Sequence, residues 1–468
     1  VFSDPSGNVL DELQILNPTQ KDHSRGRSID GGSTWSVYTT PTPGDINTNP
    51  KGEYATTPIF NQDAGYHNFP TDVSLASPDV DVEIRYTLTG EEPTQTSTLY
   101  TSPISIATTT VVRTKAFSTN SNIPSSFTET NTYFIGDDYH TIKIVSICGD
   151  QVDNLLNGSS GLHPDGVFEL FDEYGLLLDE SSGEFNKHGN DSWAYSQRGF
   201  DYITRDQYGI NHVINHKIFR TKDRTKFQRL ILKPAANDNY PAEDGAHIRD
   251  AYVHALSQLG KLKLDERSHE PCVLYLNGDY WGVYEIREKV DDHDFTDYYY
   301  DQDRWDLQFL KTWGGTWSEY GGNQAQTDWD NLRSFILGND MTIEANFDTV
   351  SKYFNWKSLI DYIVLNSYVV CSDWLNWNTA WWRGLDPDGD KKKWRYALWD
   401  MDATFGHYIN YTGVPNTTPS ADPCDPESLN DPGGQGHIPI LNQLSNNETF
   451  VQYYQSRFID LTNTVFSC

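Results

Sequence analysis

Near its end the sequence reads CSDWLNWNTAWWRGLDPDGDKKKWRYALWDMDATFG, and this stretch gathers the side chains best suited to chemistry. Asp373 precedes Asn378 by five positions. Two stretches of strand character follow, NTAWWRGL and KKKWRYALW, joined by the turn DPDGD, and the second delivers Asp400 and Asp402, with Gly406 just beyond. This order suits phosphoryl transfer. That reaction asks for little covalent chemistry from a protein, but it needs a carboxylate near the acceptor hydroxyl and hard oxygen ligands that hold a divalent metal against the phosphates. Asp373 is expected to orient the hydroxyl or accept its proton, and Asn378, Asp400 and Asp402 to supply the metal ligands. Residues two apart in extended chain face the same side, so both later aspartates are expected to reach one ion. Taken singly each group is ordinary, since Asp-x4-Asn is common in loops and an Asp past a strand often caps the next turn. Their order around a hairpin carries the reading.

The elements that must position these groups lie upstream and downstream. The strand HTIKIVSIC opens a strand-rich stretch to about residue 235, and helical periodicity follows in IRDAYVHALSQLG, NWKSLIDYIVLNSYVVC and IPILNQLSNN. Strands first and helices later predict an α+β domain over 138–468, with a sheet-bearing lobe, a helical lobe and a cleft between them. Ahead of it, 48–137 shows short alternating strands, VSLASP, VEIRYTLTG, SPISIA and TVVRTKAFS, separated by turn residues as in a small β-sandwich. Residues 1–47, rich in Gly, Ser, Thr and Pro towards PTPGDIN, read as the end of a further β domain. The expected fold class is therefore multidomain, with all-β sandwich modules followed by an α+β two-lobed domain.

Composition narrows the partners. The chain has 468 residues, too many for one small module, and a formal net charge of −31, which disfavours attraction to nucleic acid phosphates or an anionic membrane. With 14 Trp and 28 Tyr it carries too much ring surface for an acidic disordered chain. The best apolar run, SLIDYIVLNSYVVC, is cut by Asp361 and too short to span a bilayer, so no membrane span is expected. Val1 is preceded by no Met and no basic-then-apolar leader, so a secretion signal is expected to have been removed or never included. The five cysteines are widely spaced without CxxC, against a zinc cluster. Cys148 and Cys371 lie in apolar runs and read as buried thiols, whereas Cys424 and Cys468 could pair in an oxidising compartment.

Several motifs resemble known families. DWLNWNTAWWR…KKKWRYALWDMDATFG resembles the CotH family, atypical kinases of the spore-coat and secreted type whose fold is related to protein kinases, in which Asp and Asn five apart precede a hairpin and a further Asp. The likeness extends to HGNDSWAYSQRGFDYITRDQYG, FQRLILKPAANDNYPAEDGAHIRDAY and VLYLNGDYWGVYEIREKV. It implies Asp373 as catalytic aspartate, Asn378 and Asp400 as metal ligands with Asp402 beside them, and Arg198, Arg249 and Glu288 as nucleotide-binding residues. Arg198 stands where a phosphate-contacting Lys is expected, with Lys217 and Lys233 as substitutes. The implied reaction transfers the γ-phosphoryl of ATP, with Mg²⁺ or Mn²⁺, to a protein Ser/Thr hydroxyl. The rival is a catalytically inactive structural or adhesion protein, or a polysaccharide-binding surface protein, on a kinase-like fold. VSLASPDVDVEIRYTLTGEEPTQTSTLYTSPISIATTTVVRTKAFS resembles the chitobiase C-terminal sandwich, and DPSGNVLDELQ…DHSRGRSIDGGSTWSVYTTPTPGDIN the end of a lamin-tail domain. These modules imply a bacterial protein that is secreted or at the cell surface, with a protein acceptor and contact to polysaccharide or the cell surface.

Other motifs carry less. DPDGD spaces carboxylates like the start of a calcium loop without the downstream Glu, so a plain turn is expected and a structural Ca²⁺ is only weakly supported. His216, His247, His269 and His407 show no HxxxH spacing, and no GxSxG occurs. Trp374, Trp377, Trp381 and Trp382 could stack on sugars but, alternating along a strand, should mostly pack. Trp35, Tyr86 and Tyr100 are the sandwich's candidates for sugar contact.

Overall fold

The alternation in TVVRTKAFS is realised in a computed structural model of the chain, in which residues 1–29, 31–136, 139–209, 211–239, 245–407 and 422–467 are described. Strands β1 (Val82–Thr87), β2 (Thr110–Ser118) and β3 (Glu129–Ile135) form the middle of a five-stranded sheet, completed by Thr98–Leu99 beside β1 and Gly65–His67 beside β3. Two short ribbons, Ile104–Ile106 with Thr71–Val73 and Ile59–Phe60 with Leu75–Ala76, close over it. Val73, Leu75, Ile104, Ile106, Val112 and Tyr133 fill the space between. Tyr86 and Tyr100 pack against this core and are partly buried. Before residue 50 the chain forms two small ribbons, Phe2–Ser3 with Val9–Asp11 and Ser24–Arg27 with Trp35–Tyr38.

β3 is buried on both faces because it serves two cores. Tyr133 and Ile135 point into the sandwich, while Thr132 and Phe134, one residue out of phase, point the other way. Phe134 packs on Ile144, Phe171, Val273 and Tyr275 of the next unit. The Thr132 N–H donates to Glu169 Oε1 at 2.9 Å, and the Thr132 hydroxyl lies 2.7 Å from Ser146 Oγ.

That next unit is a closed seven-stranded barrel, where the sequence foretold strands but not closure. Its strands are β4 (Lys143–Cys148), β5 (Asp165–Phe171), β6 (Leu177–Lys187), β7 (Phe200–Thr204), β8 (Arg229–Lys233), β9 (His269–Leu276) and β10 (Asp279–Glu288). They run in the order β4-β5-β6-β7-β8-β10-β9, and β9 closes the ring by pairing parallel with β4. A short helix α1 (Val152–Leu156) follows β4, and its Val152, Leu155 and Leu156 join the barrel core with Phe185, Phe200, Tyr202, Leu230 and Leu232. Helix α2 (Arg249–Leu259) links β8 to β9, and α3 (His293–Tyr300) follows β10.

The remainder is a four-stranded sheet backed by helices. Strands β11 (Leu307–Trp313), β12 (Gly315–Tyr320), β13 (Thr379–Gly384) and β14 (Arg395–Leu398) are ordered β12-β11-β13-β14. The hairpin read from NTAWWRGL and KKKWRYALW is β13–β14, with DPDGD in its connection. Helices α4 (Gly322–Gly338), α5 (Glu344–Tyr353), α6 (Trp356–Tyr368), α7 (His437–Leu444) and α8 (Glu448–Asn463) pack with it around Trp329, Phe354, Leu359, Ile363, Trp381 and Leu441. Asp361, which interrupts the apolar run of α6, is fully buried and accepts from Arg457 Nε and the Lys263 N–H, at 2.7 and 2.6 Å. Among the described residues no helix is long and apolar enough to cross a membrane. Trp374, Trp381 and Trp382 are buried in packing, and only Trp377 of that set is partly open. Cys148, Cys272 and Cys371 are buried free thiols and Cys424 is an exposed one, while the suggested partner Cys468 lies outside the described residues.

His437 makes this core sensitive to acid. It is fully buried against Trp329 and Trp381, its Nδ1 lies 2.7 Å from the Tyr396 hydroxyl, and Nε2 has no hydrogen-bond partner among the described residues. Burial, with Arg333 nearby, lowers its pKa to about 3. The unfolded chain therefore takes up a proton near the ordinary histidine value that the folded chain refuses, so stability falls as pH drops from about 6.5 towards 3. Each such group contributes a slope of about 1.4 kcal/mol per pH unit. His437→Gln is expected to flatten the slope of urea-unfolding stability between about pH 6 and 4 by close to one proton, and an unchanged slope would refute the neutral, buried ring.

Candidate active site

Between the barrel and the four-stranded sheet lies a cavity of about 440 Å³ whose walls include Asp373, Asn378, Asp400 and Asp402. The loop that carries Asp373 begins where α6 ends, and the Cys371 N–H donates to Asn366 O while the Ser372 N–H donates to Ala403 O, at 2.9 and 3.0 Å. Buried Trp374 and Leu375 anchor it. Val370, Leu375 and Asn378 hold φ values of 52°, 64° and 39°, a left-handed conformation that costs about 1–2 kcal/mol for a non-glycine residue. This loop is held in shape against its own preference. Asn378 Nδ2 donates to Asp373 Oδ2 at 2.7 Å, so the spacing of five brings the two side chains together.

Asp400 and Asp402 follow β14 rather than ending it, yet both face the same cavity. Lys233, at the end of β8, donates to Asp400 Oδ1 and Asp250 Oδ2, each at 2.7 Å. Alternation along β8 explains the aim, because Leu230 and Leu232 fill the barrel and Lys233 must point out of it. Asp250, in the first turn of α2, also accepts from Arg287 Nη1 at 2.8 Å and from the Met401 N–H at 2.9 Å. One buried carboxylate thus ties β8, β10 and the Asp400 segment together. Asp402 accepts from the Asn237 N–H at 2.8 Å.

The charges are unbalanced towards the acid side. Burial first, then the neighbouring Asp400 and Asp191, raise the Asp373 carboxyl to about 7. Burial and then Asp400 hold Asp402 well above the usual carboxylate range, against the pull of Lys233. Asp191, just after β6, is raised by burial and Asp400. Burial opposes the Lys233 ammonium, but Asp250 and Asp400 outweigh it and raise its pKa. The lining also carries Lys187, Arg267, Lys289 and Lys311, but Asp291 lines it too and pairs with Arg267 at 3.6 Å, Lys289 at 3.7 Å and Lys311 at 2.6 Å. Arg267 is 1% exposed, and its Nε and Nη2 have no hydrogen-bond partner among the described residues. The cavity therefore offers carboxylates to a cation, beside cations that are mostly paired with Asp201 and Asp291.

Three residues named from the sequence do not reach it. Arg198 donates to the carbonyls of Leu156, Trp193 and Ser196 at 2.8, 3.0 and 3.3 Å and lies over the Trp193 ring. Its guanidinium satisfies the C-terminal end of α1; of the two suggested substitutes, Lys233 lines the cavity, while Lys217 pairs with Asp223 elsewhere. Arg249 pairs with Asp238, which also accepts from the Ile248 and Arg249 N–H groups at the start of α2. One residue along a helix turns the side chain by about 100°, and the residue facing Lys233 is Asp250. Glu288 is buried with Lys222 and Arg224, at 3.1 and 3.5 Å, whereas Arg287, its neighbour of opposite parity, reaches Asp250. Asp191, Asp250 and Arg267 were not named, and the Asp250–His254 pair one helical turn apart was the signal available for one of them.

Two known families match parts of the chain. The sequence model of the family described as CotH kinase protein matches residues 186–468, more than half of the chain. The chain belongs to the CotH kinase family. The model described as chitobiase/beta-hexosaminidase C-terminal domain matches residues 62–129, the sandwich. No curated protein matches the chain. The CotH match begins in the last residues of β6, so the first two barrel strands lie ahead of it, while every residue of the Lys233–Asp250–Asp400 network and Asp373 lie within it.

Proposed function

We propose that this CotH-family protein is an ATP-dependent atypical kinase that phosphorylates a protein Ser/Thr hydroxyl. The observation that carries the reading is the meeting, in one cavity, of the Asp373–Asn378 pair with Asp400 and a strand lysine tied to a helix carboxylate. The barrel and the helix-backed sheet act as the two lobes, and the cavity as the cleft between them.

The donor set fits a hard divalent cation. Asp400, Asp402 and the Asn378 amide are oxygen donors, and the carboxyls of Asp373 and Asp402 are raised by burial first and by the neighbouring Asp400 second. Among the described residues no three His, Cys, Asp or Glu side chains are already gathered as a metal cage, and Asp400 is held by Lys233. When bound, Mg²⁺ or Mn²⁺ would hold the phosphates and offset charge on the transferring group. The chain's own residues do the rest. Asp373, fixed by Asn378, aligns the acceptor hydroxyl and takes its proton, and a carboxyl that titrates near 7 is well matched to that task at neutral pH. Lys233 and Lys187, which line the cavity, supply local positive charge for phosphate despite the overall −31 charge.

The rival reading, a catalytically inactive structural, adhesion or glycan-binding protein, drew on Arg198 and on the tryptophans. Lys233 in the cavity and the burial of Trp374, Trp381 and Trp382 weigh against it. A bacterial, secreted or surface location and a lamin-tail-like start remain part of the proposal, resting on resemblance. Calorimetric titration of ATP into the purified chain is expected to show binding that requires Mg²⁺ or Mn²⁺. Heatless titrations with both metals, in a chain that melts cooperatively, would sink the kinase reading.

A further inference from the structure

A second cavity, of about 230 Å³, opens where the sandwich meets the barrel, and among the described residues no Lys, Arg or His lines it. Glu129 from β3 and Glu180 from β6 enter it from the two sides of the joint and hydrogen-bond to each other. Thr130, 3% exposed, lines the same cavity with an Oγ1 that has no hydrogen-bond partner among the described residues. Thr57, Ser182 and Asn211 add further side-chain oxygen to the walls. Burial is the main cause that raises Glu129 to about 7 and Glu180 to about 9, and for Glu180 the negative charges of Glu129, Glu169 and Asp179 add to it. Glu169 behind them is itself raised to about 7 by burial, against the hydrogen bonds from Thr132 and, less, the charge of Arg113.

Two carboxyls pressed together, beside a buried hydroxyl with nothing to bond, form an oxygen-only donor set. A hard cation in this cavity draws on both the carboxyls and the neutral oxygens, whereas a shared proton satisfies only the carboxyl pair. Calcium suits the place better than magnesium, because it accepts six to eight oxygens in irregular geometry and tolerates hydroxyl, amide and water ligands. We propose that Glu129, Glu180 and Thr130 form a Ca²⁺ site that clamps the sandwich to the barrel. It is independent of the kinase reading and distinct from the cavity of Asp373. With only two carboxylates it should be weak, with Kd on the order of 10⁻⁴–10⁻³ M, as in extracellular modules.

The test uses the full chain stripped with a chelator. Adding CaCl₂ to about 10 mM is expected to raise Tm by about 2–4 °C, more than MgCl₂ does. The rise should persist in Asp400→Asn/Asp402→Asn, which disables the other carboxylate cluster, and disappear in Glu129→Gln/Glu180→Gln. Without calcium at about pH 8 that Gln pair should be at least as stable as the parent, because it removes a carboxylate charge that burial disfavours. No calcium effect on the parent's Tm, or an effect retained in the Gln pair, would overturn the site. A Tm indifferent to calcium but rising as pH falls from about 9 to 6 would also overturn it, and would make the pair a proton-sharing latch.

Discussion

Asp373→Asn is expected to cut phosphoryl transfer by roughly 10²–10⁴-fold, the range of a positioned general base, while leaving a folded protein. The substitution keeps the shape of the side chain and an oxygen to accept from Asn378 Nδ2, so the strained loop should persist. It should also stabilise. The folded carboxyl titrates near 7, raised by burial and by Asp400 and Asp191, against 3.8 in the unfolded chain. For a carboxyl raised in this way, its share of stability is full below about pH 4 and is lost as pH climbs through 7. Removing the charge should therefore return roughly 1–3 kcal/mol at about pH 8 in chelator, and nothing at about pH 4. Urea unfolding at both pH values, beside a radiolabel transfer assay, reads both effects. Normal transfer would remove Asp373 from the chemistry. Lost transfer with lower stability at pH 8 would make it a structural residue.

That opposition between stability and activity marks which parts of the site were legible. Asp373, Asn378, Asp400 and Asp402 could be read because a loop, a hairpin and a two-residue step are local, and local spacing fixes geometry. Lys233 and Asp400 are 167 positions apart, and no periodicity joins them. Arg249 and Glu288 each stand one residue away from Asp250 and Arg287, which meet beside Lys233, and helix phase and strand parity are settled only by the packing of α2 against β8 and β10. The barrel shows the same limit. Its strands alternate visibly, but closure rests on the parallel pairing of β4 with β9, between Lys143 and Cys272 and onward, which leaves no mark in either strand. Helix α4 was readable in principle, with Ala325, Trp329, Leu332 and Ile336 recurring on one face, but Gln, Asp and Asn between them obscure the stripe.

Lys233→Met and Arg198→Ala should part company for the same reason. Met fills the volume of a side chain that is 3% exposed, and removes the ammonium that joins Asp250 to Asp400. Asp250 keeps Arg287 and the Met401 N–H, so the buried carboxylate is not stranded and the loss of stability should fall short of the roughly 3–5 kcal/mol of a fully broken buried pair. Asp400 keeps no such substitute on β8, and phosphate loses a fixed cation, so transfer should fall by about 10²–10³-fold. Arg198→Ala removes hydrogen bonds to the end of α1 and the contact with Trp193, at a cost of roughly 1–3 kcal/mol, but touches nothing in the cavity. Its transfer rate per folded molecule and its KM for ATP should match the parent. A stable but inactive Arg198→Ala beside an active Lys233→Met would return the phosphate contact to the position first suggested by sequence, and would require the segment between β6 and β7 to move before transfer.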